Sequence, residues 1–66
     1  MAGRVKHLID ELIQLRAAGN PGVACFLRAH LMLMGIDPER YTERSPDDAT
    51  KEQTLRQMIH DFRGKS

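Results

Sequence analysis

One cysteine, Cys25, stands in the whole chain, so no disulfide can staple it internally. The motifs of metal sites are missing as well: there is no C-x-x-C and no H-E-x-x-H. His7 and Glu11 have the spacing of one helical turn but lack a third ligand, and Cys25 and His30 fall on different sides of a helix. The expectation is no metal and no cofactor. A glycine-rich phosphate loop is also lacking, because Gly19 and Gly22 bracket Pro21 and serve a turn.

An excess of one charge is absent. Ten Lys+Arg against nine Asp+Glu leave a formal net charge of +1, which is no electrostatic footprint for nucleic acid. Long hydrophobic runs are absent too. The longest near-apolar stretch, 23–36, contains Arg28 and His30 and falls short of the ~20 residues that span a bilayer. The basic start at Arg4, Lys6 and His7 does not lead into a signal segment, because Asp10 and Glu11 interrupt the apolar residues after it. No membrane association is expected. A lone cysteine in an apolar helix fits a reducing, cytoplasmic setting. As a nucleophile Cys25 would need an activating base, and so short a chain has little material for a pocket. The sequence is therefore read as non-enzymatic.

What is present is helical periodicity. At 41% hydrophobic residues the chain has enough apolar material to fold, as one domain over residues 1–66. The pattern predicts an all-α three-helix bundle, with helices at about 4–18, 21–34 and 46–63, a short helical turn near 37–41 and a frayed end at 64–66. Helix one carries Val5, Leu8, Ile9, Leu12, Ile13 and Leu15 on one broad arc. Gly19 suits the left-handed position after it. Asn20 caps helix two and Pro21 takes its first turn. Asp37-Pro38 repeats that start signal, and Tyr41 is expected to cover the end of the core. For helix three, Ser45 is read as the N-cap, Pro46 as the first helical residue and Asp48 as the capping-box partner. Its apolar stripe, Leu55, Met58, Ile59 and Phe62, occupies only the second half. The charged first half, with Lys51, Glu52 and Asp48, is read as free for a further partner.

Helix two is apolar nearly all round. Placing Val23, Leu27, His30 and Met34 toward the core, together with Phe26, Leu31 and Leu33, leaves Cys25, Arg28, Ala29 and Met32 outside. His30 is then a buried neutral histidine, and His7 and His60 are solvated surface groups. Either the 35–45 link folds over the outer strip or a second chain covers it. A chain this small usually needs a staple beyond its own core. With disulfide and metal excluded, a homodimer through helix two is the expected staple. The functional expectation is a small protein–protein interaction or assembly module without catalysis. The alternative is a small nucleic-acid-binding regulator using Arg44, Lys51 and Arg56.

Overall fold

The structure, a computed structural model, describes residues 2–64. It is an all-α three-helix bundle. Helix α1 spans Arg4–Ala17, α2 spans Pro21–Leu33, a 3-10 turn comes next at Pro38–Arg40, and α3 spans Ala49–Gly64. Among the described residues there is no strand. The first two helices and the short turn lie where periodicity and caps put them. Asn20 accepts hydrogen bonds from the Gly22 and Val23 amides at 3.0 and 3.3 Å, and Asp37 accepts from Glu39 at 3.0 Å. These side chains satisfy amide donors that the first turn of a helix leaves open.

The start of α3 differs from expectation. Asp48 is the cap: its carboxylate accepts from the Lys51 amide at 3.2 Å, and its carbonyl takes the Glu52 amide at 2.9 Å. Ser45 instead closes a turn in the link, where its hydroxyl accepts from the Thr42 amide at 2.9 Å. Aspartate caps a helix as well as serine does, so two competing start signals stand three residues apart. The one nearer the packed part of the helix prevails. At its other end α3 runs through Gly64, a residue expected to fray; residues 65 and 66 lie outside the described residues.

The core joins Val5, Ile9 and Leu12 of α1, Leu31 of α2, Ile36 of the link, and Leu55 and Ile59 of α3, with Tyr41 and Met58 packed against it. Helix α1 is the central element and touches both other helices extensively, whereas α2 leans on α1 and on the Pro38–Arg40 turn. The link after the turn is tied to the start of α1. The Gly3 amide donates to the Ser45 carbonyl at 3.0 Å, and the Arg4 amide to Asp47 Oδ1 at 3.4 Å.

Candidate interaction surface

The rotation of α2 about its own axis decides what the molecule shows to its surroundings. Its carboxyl end is a Schellman motif: Gly35 is left-handed at φ 84°, its amide donates to the Met32 carbonyl, and the Ile36 amide folds back to the Leu31 carbonyl at 2.8 Å. That motif brings the residue after the glycine against the third residue from the helix end. Ile36 and Leu31 accordingly enter the core together. Once Leu31 points inward, Leu27 one turn earlier does too, and both are buried. Ala24, a further turn back, is half-buried. This buried arc covers only about 60° of the wheel at 100° per residue.

The predicted core face of α2 is thereby corrected. Leu27 and Leu31 hold, but Val23, Phe26, His30, Leu33 and Met34 are exposed. Phe26 is 70% exposed and Leu33 88%. All four predicted interface residues, Cys25, Arg28, Ala29 and Met32, are at the surface, with Met32 at 56%. They do not form one patch of uniform character. Arg28 lies at the border, in a cleft with Asp10, Ile13 and Glu39. The open apolar face consists of Cys25, Ala29 and Met32 together with Phe26 and Leu33, and His30 and Val23 form its far edge. The link does not cover it, since the Pro38–Arg40 turn packs on the Arg28 side.

The polar side of the molecule is built around Glu52. Its side chain is 7% exposed, with Arg56 Nη2 at 3.6 Å and Arg4 Nη1 at 4.0 Å from the same carboxylate oxygen. A buried carboxylate is tolerable where guanidinium groups compensate it. Within the first half of α3, Glu52 thus turns inward against the start of α1, while Ala49, Thr50 and Gln53 stay exposed. Arg4 also stands 3.8 Å from Asp47. Desolvation works to raise the Asp47 carboxyl, while the Arg4 amide bond and the Arg4 charge work to lower it; its pKa lies below the ordinary carboxylate value. An open cleft beside this cluster is lined by Arg4, Asp47, Glu52, Gln53, Arg56 and His60.

The three cations of the nucleic-acid reading are not gathered into one bare patch. Lys51 lies 3.6 Å from Asp48 and over the Tyr41 ring at 5.7 Å, and Arg56 is held by Glu52. Tyr41, and after it Asp48, keeps the Lys51 ammonium above the ordinary lysine value. Arg44 sits on the exposed link. Among the described residues no group of three or more His, Cys, Asp or Glu side chains is arranged to hold a metal ion, and no helix is long and apolar enough to cross a membrane. Comparison with models of known families, with curated proteins and with solved structures finds no match.

Proposed function

We propose that this chain acts by binding, as a small helical assembly module that forms a homodimer through the open face of α2. The observation that carries the reading is that Phe26, Met32 and Leu33 stand 70%, 56% and 88% exposed on one helix with no charged side chain between them. Large apolar side chains clustered in the open mark an interface.

Area points the same way. The chain exposes 4864 Å². A folded chain of 7.5 kDa ordinarily exposes roughly 4,250 Å². The excess, roughly 600 Å², approaches the ~800 Å² that each partner commonly gives to a stable interface. A second copy suits this face because the face carries no net charge, so two copies meet without like-charge repulsion. A single straight helix can also lie against its own image across a twofold axis. The exposed Cys25 thiol suits a reducing, cytoplasmic compartment.

Sedimentation of the chain at high micromolar concentration tests the reading, with the mass of a dimer expected. Leu33→Glu removes no core contact and should yield a monomer of unchanged helicity. A monomeric parent chain, or a Leu33→Glu variant that still dimerises, discards the proposal.

A further inference from the structure

We infer that the outward edges of Arg4 and Arg56, held side by side between α1 and α3, form a binding site for a phosphate monoester. The residue beneath them is Glu52. It continues the apolar stripe of α3 one turn before Leu55 and is buried like Leu55 and Ile59. An apolar side chain there would suit folding at least as well, because a buried carboxylate loses its hydration and its ion pairs seldom return more than that cost. What the carboxylate does provide is position. One of its oxygens stands 3.6 Å from Arg56 Nη2 and 4.0 Å from Arg4 Nη1, so the two nitrogens lie within about 8 Å of each other. Both arginine side chains are more than half exposed. These separations are too long for hydrogen bonds, and neither guanidinium donates one among the described residues. Two forks of donors are thus gathered by charge, with their hydrogen bonds still to be made.

The surroundings suit an oxyanion. Arg4 and Arg56 line two clefts on this side of the molecule, one with Gln53 and His60, the other with Gly3 and His7. Amide and imidazole donors therefore flank the guanidinium pair. Charge alone does not choose the ligand. Asp47 stands 3.8 Å from Arg4 Nε, and together with Glu52 it offsets both guanidinium groups. Recognition is then of short range and depends on geometry. A carboxylate has two oxygens, which one guanidinium fork satisfies. A phosphate monoester has three, and accepting at about 2.8 Å on each side it reaches both forks. It meets them from the solvent side, with the buried Glu52 behind them. No residue of α2 lines the site, so it does not depend on a second chain.

The test is an amide NMR titration of the full chain with inorganic phosphate at neutral pH, with sodium chloride of matched ionic strength as the blank. Phosphate should shift the amides around Arg4, Gln53 and Arg56 saturably, with a dissociation constant on the order of 1 mM, and acetate should bind at least about tenfold more weakly. The Arg4→Lys, Arg56→Lys double variant keeps both charges beside Glu52 but loses the forks. It should bind phosphate at least about tenfold more weakly, with an unchanged far-UV circular dichroism spectrum. Should the double variant unfold, Arg56→Lys alone takes its place with the same fall expected. Arg44→Gln, on the exposed link, should leave binding unchanged. Phosphoserine and a short peptide carrying it then separate the two sources of such a group: equal binding supports a small ligand at the site, and tighter binding of the peptide supports a phosphorylated protein there. The absence of a saturable shift up to roughly 50 mM phosphate overturns the inference. Shifts that map to another surface, an acetate response equal to that of phosphate, or binding undiminished by the arginine substitutions overturn it as well.

Discussion

Gly3 occupies a left-handed conformation at φ 86°, and a β-carbon there would stand 2.7 Å from the Glu43 carbonyl oxygen. The residue is thus bound twice, by its backbone angle and by the close approach of the 42–47 link, whose Ser45 carbonyl accepts its amide hydrogen. Gly35 provides the contrast. Its φ is 84°, but nothing lies within 4 Å of an added β-carbon. Substitution at Gly35 meets backbone strain alone, while substitution at Gly3 meets the same strain and a backbone collision. Urea unfolding should place Gly35→Ala about 1 kcal/mol below the parent. Gly3→Ala should lie at least ~2 kcal/mol below, because main chain has to move. Equal losses at the two sites would mean that the link is not held tightly against the start of α1.

Among the helices, α3 turns on which residue begins it. With Asp48 as the cap, Asp48→Ala removes the acceptor for the Lys51 amide and should cost ~1 kcal/mol with a loss of helical signal. A stability change under a few tenths would instead return the start of the helix to Ser45. The positions of α1 and α2 and the caps Asn20 and Asp37 are legible in the sequence because they are local. Asn20-Pro21 and Asp37-Pro38 satisfy donors within three residues, whatever the rest of the chain does. The rotation of α2 is not legible from its wheel, because a helix apolar nearly all round gives hydrophobicity no face to choose. The choice falls to the Gly35-Ile36 turn, which draws Leu31 inward. A glycine after the helix with an isoleucine behind it is the signal that identifies Leu31, and through it Leu27, as the buried pair. For the same reason the wheel reveals the open face only in part. It places Cys25, Ala29 and Met32 outside but assigns Phe26 and Leu33, the largest members of that face, to the core. The burial of Glu52 is hidden in the sequence because, of its two compensating partners, only Arg56 is local and Arg4 is distant along the chain.

Across the whole molecule, size and shape bear on the same face. A chain of 66 residues buries only ~60% of the surface its unfolded form exposes, and its core alone supplies roughly 3–5 kcal/mol. Here α1 is enclosed from two sides, but α2 contributes just Leu27 and Leu31 as fully buried side chains. The remaining apolar side of α2 adds nothing to the stability of one chain in water, and adds its burial when two chains meet. In the proposed dimer, folding and association are linked by mass action, because a partner would bind the folded chain and not the unfolded one. If the proposed dimer forms, the thermal midpoint should shift upward by roughly 10 °C when protein concentration rises about a hundredfold, given an unfolding enthalpy of ~0.7 kcal/mol per residue. Leu33→Glu should abolish that shift and melt at one temperature throughout, near that of the parent at its lowest concentration. Calorimetry across the concentration series checks both. A parent midpoint independent of concentration would show that the bundle stands on its own core, and that the apolar face of α2 contributes nothing to its stability.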